Sequence, residues 1–343
     1  ESGPENRGQN MPITLKDVAL RAGVSRSAVS RTFTEGASVS PKTRAKVERA
    51  AADLGYAPSA LASALSTGRT KLIGLVVSNF HNPFFLEVFD RFTRGLQERG
   101  LRPLLVNLSG ETDPEASVRM LRQYSVDGVI VASSTLPPSF AGAFRAAGLP
   151  VVHSFGRWTD SPETHVVGID NVDSGRMAAR TLLDRGYRKI AFLGGPESAT
   201  STQDRMAGFR MALPDDTPLS TSFALTYSFG AGRLEMQRLL ADGPPAEAYF
   251  CGDDVLSIGV LSALSDAGLS VPGDVGVIGL NDMEMAGWEN INLTTIRQPI
   301  AEIIDASIEL AVLSVEDPDR LPEARLFPCR VTERGTLRPL PRR

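Results

Sequence analysis

The chain has 343 residues, of which 42% are hydrophobic and 22% charged, and a formal charge of −4, which is typical of a globular protein with two or more domains. No stretch approaches the roughly 18 consecutive apolar residues of a membrane-spanning helix, and the polar residues 1–10 predict a disordered leader rather than a signal peptide. The two cysteines lie far apart and match no zinc or disulfide spacing, which favours a cytoplasmic protein.

The charge is distributed unevenly along the chain. Residues 11–70 contain nine Lys/Arg and four Asp/Glu, so this block carries +5 and the remainder carries −9. A basic block on an acidic body indicates a module that binds a polyanion such as nucleic acid. Charge alone leaves the alternative of an ordinary solvated surface open, because any window of this length varies by a few charges.

The basic block begins with a helix-turn-helix pattern. Apolar residues at helical spacing predict a first helix over 15–22, with Thr14 as its N-cap. Gly23 then permits a tight turn. The small Ala19 lies four residues before this glycine and Val29 six residues after it, which is the spacing of two short helices packed around a turn. The alternative is a three-helix bundle without a DNA-binding role.

Two further helices complete the block. Ser25 is the predicted N-cap of a second helix over 26–33, and Ser40 followed by proline predicts the start of a third over 41–54. The second helix exposes donors that can reach bases or phosphates in a major groove. These donors are Arg26, Ser27, Ser30 and Arg31. The predicted apolar face of the third helix comprises Ala45, Val47, Ala50, Ala51 and Leu54.

The segment PSALASALSTGRT, residues 58–70, follows the basic block. Its leucines and alanines have helical spacing, but a helix of about eight residues is too short to be stable alone. It would fold only against a partner, either its twin in a dimer or a DNA groove. A flexible linker is the alternative that its composition also allows.

From residue 71 onward, short apolar runs alternate with amphipathic helices. The predicted strands are LIGLVV, RPLLVNL, DGVIVA, LPVVH, HVVGI, KIAFLG, AYFCG and VGVIGL. Helices are predicted between them, for example over 84–99, 173–185 and 253–267. Such alternation predicts parallel sheets with helices on both faces, and two series of it predict two similar lobes with a cleft between them.

Polar residues after these strands are candidate ligand contacts, because open α/β sheets bind ligands beyond the carboxyl ends of their strands. They are Asn79, Asp170, Asp253 and Asn281. Ser201 and Arg205 lie at the start of a predicted helix. Carboxylates and amides accept hydrogen bonds from ligand hydroxyls, and Arg205 offers a planar set of donors. Each residue alone is more often a turn residue or a helix cap than a ligand contact.

The sequence shows few of the motifs that are typical of enzymes. The three histidines have no metal-ligand spacing, and neither a nucleophile elbow nor a phosphate-binding loop is present. The glycines of GDVGVIG and LGGP lack the dinucleotide-binding pattern. We therefore predict no enzymatic activity, no catalytic residue, no metal and no cofactor.

The segments TLKDVALRAGVSRSAVSRTFTEG, VVGIDNVDSGRMAARTLLDRGYRKIAFLGGP, DRMAGF, YFCGDDVLSIGVLSALSDAGLSVPGDVGVIGLND and LTTIRQP resemble the lactose-repressor (LacI) family of bacterial transcription regulators. The resemblance covers Ile13 to about Thr336. It implies an all-α helix-turn-helix headpiece with a hinge helix, joined to an α/β, periplasmic-binding-protein-like, two-lobed domain.

The implied boundaries are a headpiece over 11–57, a hinge over 58–70, an effector-binding and dimerisation domain over 71–338, and a tail over 339–343. Within the large domain, the N-terminal lobe comprises about 71–169 and 300–327, and the C-terminal lobe about 170–297 and 328–338.

The resemblance also assigns DNA contacts. Arg26, Ser27 and Arg31 lie where the family reads bases in the major groove. The predicted phosphate contacts are Thr14, Ser25, Ser40 and Thr43. Leu65, with Ala62 beside it, lies where the family inserts a hinge leucine into the minor groove and kinks the duplex. Ser59 departs from the family's usual asparagine. The implied assembly is a homodimer on a pseudo-palindromic operator.

For the effector, the resemblance adds Phe84 and Tyr227 as aromatic contacts to the polar candidates. Ala199 lacks the arginine of the purine-binding member, and Asn281 replaces an aspartate that is common in the family. We therefore expect a sugar or polyol effector, with a purine or another metabolite as the alternative. The other interpretations are a two-lobed solute-binding receptor, which the basic headpiece argues against, and an α/β enzyme with an added N-terminal domain.

Overall fold

The computed structural model describes residues 13–34, 36–59, 64, 67–108, 113–215 and 217–341. The predicted leader lies outside these residues, as do Ala62 and Leu65 of the hinge segment. The chain divides into two compact units, the first ending at Thr70 and the second beginning at Lys71. No helix in the described part of the chain has both the length and the apolar character that crossing a membrane requires.

The first unit contains the three predicted helices: α1 (Leu15–Ala22), α2 (Arg26–Thr32) and α3 (Pro41–Leu54). Capping defines where they start. The Asp17 carboxylate accepts hydrogen bonds from both the backbone N–H and the hydroxyl of Thr14, at 2.8 and 2.7 Å. Proline is the first residue of α3, where its missing N–H costs nothing. Local signals are therefore sufficient to specify these helices.

The core of the first unit is small. Val18, Val29 and Val47, one from each helix, are fully buried at its centre, and three alanines complete the buried set. The predicted apolar face of α3 is wrong in one position, because Ala45 is exposed. Ala45 lies near Lys42 and Lys46 on the outer side of the helix, where no other helix covers it.

The second unit starts with a β/α series. Its elements are β1 (Leu72–Val77), α4 (Phe84–Glu98), β2 (Arg102–Asn107), α5 (Pro114–Gln123), β3 (Gly128–Ala132), α6 (Pro138–Ala146), β4 (Val151–Ser154) and β5 (His165–Gly168). Together with β11 (Ala324–Leu326), which comes later in the chain, they form a sheet with the order β11-β5-β4-β3-β1-β2, in which every pairing is parallel. We call this sheet and its helices the first lobe.

A second series has the corresponding strand order. Its elements are α7 (Asn171–Asp184), β6 (Ile190–Gly194), α8 (Thr200–Met211), β7 (Leu219–Phe223), α9 (Phe229–Asp242), β8 (Ala248–Cys251), α10 (Asp254–Asp266), β9 (Gly276–Asn281), a 3-10 turn (Glu284–Gly287) and β10 (Thr295–Arg297). Together with β12 (Arg330–Thr332), they form a sheet with the order β12-β10-β9-β8-β6-β7. Only the β10–β12 pairing is antiparallel. This sheet and its helices are the second lobe.

The last helix and the last two strands of the chain complete the two lobes. Helix α11 (Ile300–Glu316) packs on β3, β4 and β5, and β11 (Ala324–Leu326) pairs with β5 in the first lobe. Strand β12 (Arg330–Thr332) then pairs with β10 in the second. The chain thus passes between the lobes after β5, after β10 and after β11. Three neighbouring crossovers hold the two sheets with the carboxyl ends of their strands facing a common cleft.

Candidate functional site

The exposed face of α2 in the first unit carries the predicted base-reading residues. Arg26, Ser27 and Arg31 are all exposed. Ser25 caps the helix by accepting a hydrogen bond from the backbone N–H of Ala28 at 3.2 Å, and its hydroxyl lies 2.9 Å from that of Ser27. The Arg31 Nε contacts the Ser27 carbonyl at a long 3.4 Å, so its guanidinium remains available. This face presents donors to solvent.

The predicted phosphate contacts lie at helix starts. Ser40 caps α3 by accepting from the Thr43 N–H at 3.2 Å, and the two hydroxyls lie 2.9 Å apart. Ser25 caps α2 in the same way, whereas Thr14 takes the N-cap position of α1 and donates its hydroxyl to Asp17. The positive end of a helix dipole and its free N–H groups favour an anion. The first turns of α2 and α3 carry no acidic side chain that would oppose an anion, whereas the first turn of α1 contains Asp17.

A closed cleft lies between the two lobes of the second unit. Six of the eight predicted effector residues line it: Asn79, Phe84, Arg205, Tyr227, Asp253 and Asn281. The sequence did not predict the other lining residues, which are Asn82, Phe85, Ser134, Thr135, Phe155, Ile169, Asn171 and Gln298. The open volume is about 20 Å³, which is room for about one water molecule.

Asp253 is the central acceptor of the cleft. It caps α10 through the Val255 N–H at 2.9 Å, and its other oxygen accepts from the side-chain amides of Asn82 and Asn281, each at 2.9 Å. Burial raises the pKa of this carboxyl to about 6, although these hydrogen bonds oppose the rise. Because Asn82 belongs to the first lobe, the Asn82–Asp253 bond joins the lobes.

A chain of amides continues from Asp253. Asn281, the last residue of β9, accepts a hydrogen bond from the Gln298 amide at 2.6 Å. The Oε1 atom of Gln298 is buried without a hydrogen-bond partner in the described residues. A buried acceptor without a partner is costly, so this atom can take a hydroxyl or amine donor from a ligand.

Arg205 is buried and held by two acceptors. Its Nε donates to the Asn171 side chain at 2.8 Å and its Nη1 to the Gly252 carbonyl. Its position depends on tight packing of α7 against α8. A Cβ at Gly208 would lie 1.8 Å from the Val172 carbonyl oxygen, so only glycine allows the helices this close. The guanidinium is thereby brought to the cleft.

Aromatic side chains form the apolar walls. Phe84 packs edge-on against Phe85 and Phe155, with ring centroids 5.3 and 5.7 Å away. Tyr227 lies across the cleft, and its hydroxyl is 2.6 Å from that of Thr202 and 3.2 Å from that of Ser201. Rings of this kind can cover the apolar face of a small ligand.

Two predicted effector residues lie elsewhere. Asp170 caps α7 by accepting from the Asp173 N–H at 2.9 Å, and the next residue, Asn171, lines the cleft instead. Ser201 is fully buried behind Tyr227, and its backbone N–H donates to the Ser134 carbonyl at 3.1 Å. Neither is among the described residues that line the cleft. Both act as supports in this closed geometry.

An ion pair at the cleft edge links the lobes. Arg157, in the segment between β4 and β5, donates from Nε to Asp204 of α8 at 2.9 Å, and its Nη2 lies 2.8 Å from the other carboxylate oxygen. The same Nη2 contacts the Thr200 carbonyl and the Gln203 side chain, each at 3.0 Å. We call this group the Arg157 latch.

A second buried carboxyl lies beneath the cleft. Asp254 is fully buried and accepts from the Thr295 hydroxyl at 2.5 Å and the Met283 N–H at 2.9 Å. Burial raises its pKa to about 7, and the neighbouring Asp253 and Asp282 add to the rise. It connects the start of α10 to β10 and so supports Asp253.

Comparison with known proteins agrees with this architecture. The family model of the bacterial regulatory proteins of the lacI family matches residues 14–59, and that of the periplasmic binding protein-like domain matches residues 179–337. The ribose operon repressor of Escherichia coli (strain K12) is 33% identical over 314 residues, which cover 89% of this chain and 94% of the repressor.

Two further relatives extend the comparison. The HTH-type transcriptional repressor PurR of Vibrio parahaemolyticus is 32% identical over 320 residues, which cover 92% of this chain and 95% of that protein. The crystal structure of the lac repressor dimer bound to operator and the anti-inducer ONPF has a TM-score of 0.84, with 26% identity, 95% of this chain covered and 99% of that chain. The chain belongs to the lacI family of bacterial regulatory proteins, and it is a DNA-binding transcription regulator.

Proposed function

We propose that the protein is a homodimeric repressor that reads a pseudo-palindromic operator through α2 and is controlled by a sugar or polyol bound in the cleft. It acts in the cytoplasm without catalysis. The observation that carries the effector assignment is the cleft, where one carboxylate, one arginine and five side-chain amides face aromatic walls. The lac repressor relative is a dimer bound to operator, which supports the assembly.

The exposed face of α2 supports the DNA role. Arg26 and Arg31 can donate two hydrogen bonds each to guanine, while the serines reach bases or phosphates. The capped starts of α1, α2 and α3 position the unit on the backbone without reading sequence. A two-fold dimer would place two such faces on half-sites about one helical turn apart, or a multiple of it.

The cleft chemistry favours a neutral, hydroxyl-rich ligand. The side-chain amides of Asn82, Asn171, Asn281 and Gln298 can each donate and accept, which suits hydroxyl groups. Arg205 already has two acceptors, so it does not require an anion. The ribose operon repressor among the relatives supports this class, and PurR keeps a purine as the second candidate.

Effector binding must change the cleft. Its open volume of about 20 Å³ is far below the roughly 300–1,000 Å³ of ligand pockets. The Asn82–Asp253 bond and the Arg157 latch both join the lobes, so a ligand that separates the lobes has to replace or rearrange them. Different effector affinities for the two arrangements are what couple the cleft to DNA binding.

The DNA role is tested by footprinting the full chain on the region upstream of its own operon. We expect a protected pseudo-palindrome that competitor DNA of unrelated sequence does not displace. Binding that ignores sequence would contradict the proposal.

The effector class is tested by a thermal-shift screen against sugars, polyols and nucleobases. A ligand at 100 times its dissociation constant adds about 2.7 kcal/mol to the free energy of unfolding, which is readily detected. The same ligand should change operator affinity in the footprint. Stabilisation by a nucleobase alone would favour the purine alternative.

A further inference from the structure

The first unit has a second basic surface, in a groove between α1 and α3 that we call the α1–α3 groove. The groove has a volume of about 490 Å³. Its lining comprises Arg21, Ala22, Lys42, Ala45, Lys46, Arg49, Ala50 and Asp53. Four of these side chains are cations and one is an acid. A solvated surface normally mixes both signs, so this imbalance indicates an anionic partner.

The groove lies on the side of the unit away from α2. Each of the three helices packs against the other two, and no residue of α2 is among the lining residues. In a triangle of helices, a groove between two of them opens opposite the third. A straight duplex held by α2 therefore cannot also lie in the α1–α3 groove.

The cations of the groove are available to a partner. Lys42, Lys46 and Arg49 are exposed, and none of their side chains forms a hydrogen bond or ion pair with another described residue. Arg21 pairs with Asp53 at a long 3.5 Å, with both side chains exposed. By contrast, Arg44 on the same helix donates to the Thr32 carbonyl at 2.9 Å and is part of the packing.

The spacing of these cations suits a row of phosphates. Lys42, Lys46 and Arg49 lie at i, i+4 and i+7 on one face of α3, a row about 10 Å long at 1.5 Å per residue. Ala45 and Ala50 beside them are small, so a backbone can approach closely. DNA carries one charge per roughly 1.7 Å of its axis, and cations that neutralise it release counterions.

We propose that the α1–α3 groove binds the phosphate backbone of a second DNA segment while α2 holds the operator. The contact is independent of sequence, because it involves phosphates and not bases. A dimer could then bridge its operator to another segment without forming a tetramer. The inference rests on the operator binding proposed for α2, and the experiment below reads the two separately.

The test uses the full chain on beads that carry a biotinylated operator duplex, with a fluorescent duplex of unrelated sequence in solution at low salt. The wild type should retain the protein on the beads and capture the second duplex. The K46A/R49A variant, which leaves the start of α3 intact, should lower capture by about fivefold or more while operator affinity stays within about threefold. D53N, which removes the one acid, should raise capture.

The matched control is R180A/R210A, which removes two exposed arginines from the second unit and should leave capture unchanged. Equal capture by the K46A/R49A variant and the wild type would overturn the inference. So would an equal loss of operator affinity, which would assign these cations to the operator duplex. If the wild type on the operator beads captured polyglutamate but not the second duplex, the groove would be assigned to an acidic protein. That result would also overturn the inference. A wild type not retained by the operator beads would contradict the proposed function itself.

Discussion

The proposed DNA-binding face of α2 in the first unit and the proposed effector cleft of the second unit differ in how exposed and how fully hydrogen-bonded their polar side chains are. On α2 the functional side chains are exposed and bond weakly to each other, as in the 3.4 Å contact of Arg31. In the cleft, Asp253 and Arg205 are buried and already hydrogen-bonded to neighbours. Water satisfies donors at a surface until DNA replaces it, whereas a buried cleft has to satisfy its polar groups from within.

The buried cores of the two units differ in size. Six residues form the buried core of the first unit, while the largest cluster of the second runs through both lobes. A small unit buries a smaller share of its surface and has less stability to lose. The same truncation of a buried side chain should therefore remove a larger share of the stability of the first unit than of the second. The matched valine variants below test this.

The largest effect is expected from Gly208→Ala. The new methyl group would lie 1.8 Å from the Val172 carbonyl oxygen, so α7 and α8 must separate. We expect a loss of about 3 kcal/mol or more in the free energy of unfolding of the second unit, with loss of effector binding. Gly230→Ala, where nothing lies within 4 Å of the new Cβ, is the matched control and should be neutral in denaturant unfolding.

Val29→Ala tests the small core directly. It removes two methyl groups from a fully buried site, which costs about 2 kcal/mol. In the first unit this should unfold α2 and abolish operator binding in gel shifts. Val260→Ala makes the same change at a fully buried site of the second unit, and operator affinity should survive it. An equal loss of operator affinity in both variants would refute the prediction that the first unit is the less stable of the two.

Asp254→Asn probes the buried carboxyl. Burial raises the pKa of Asp254 to about 7 from 3.8, so between these values the folded chain keeps a proton that the unfolded chain has lost. The stabilising effect of this proton is complete below 3.8 and is lost as the pH rises through 7. The wild type should thus lose about 1 kcal/mol per pH unit relative to the variant between pH 5 and 7. The free energies of unfolding of the two proteins are measured by denaturant unfolding at each pH. Parallel plots of these free energies against pH would contradict this prediction.

Arg157→Ala should have the smallest effect. Removing the latch weakens closure by about 1 kcal/mol, because the ion pair is partly exposed. The amides of Thr200 and Ser201, which donate across the cleft to Thr135 and Ser134, should exchange with solvent several times faster. Arg233→Ala breaks an exposed ion pair within the second lobe and should leave those amides unchanged.

The sequence predicts the first unit well because its signals are local. Thr14, Ser25 and Ser40 each cap the helix that follows them, and Gly23 ends α1. The alternation of strands and helices likewise predicts two α/β lobes, and the lac repressor relative confirms this fold. Each of these inferences depends on residues within a few positions of one another.

The cleft is less predictable because its contacts are distant in sequence. Asn82 meets Asp253 across 171 positions, and nothing near Asn82 indicates that partner. Gln298 follows a strand of three residues that the pattern of apolar runs does not reveal. Asp170 follows a strand, which predicts a ligand contact, but it also caps α7 by accepting a hydrogen bond from the Asp173 N–H. Local rules identify polar residues at strand ends without deciding which face the cleft.

The most direct test of the account is to measure operator and effector affinity for Arg31→Ala and Arg205→Ala in parallel. The exposed Arg31 should matter only for DNA, so its loss should weaken operator binding by about tenfold or more and leave the affinity for the best ligand of the thermal-shift screen unchanged. Arg205→Ala should show the reverse, with effector binding lost and operator binding retained. Unchanged ligand affinity in Arg205→Ala would contradict the assignment of the cleft as the effector site.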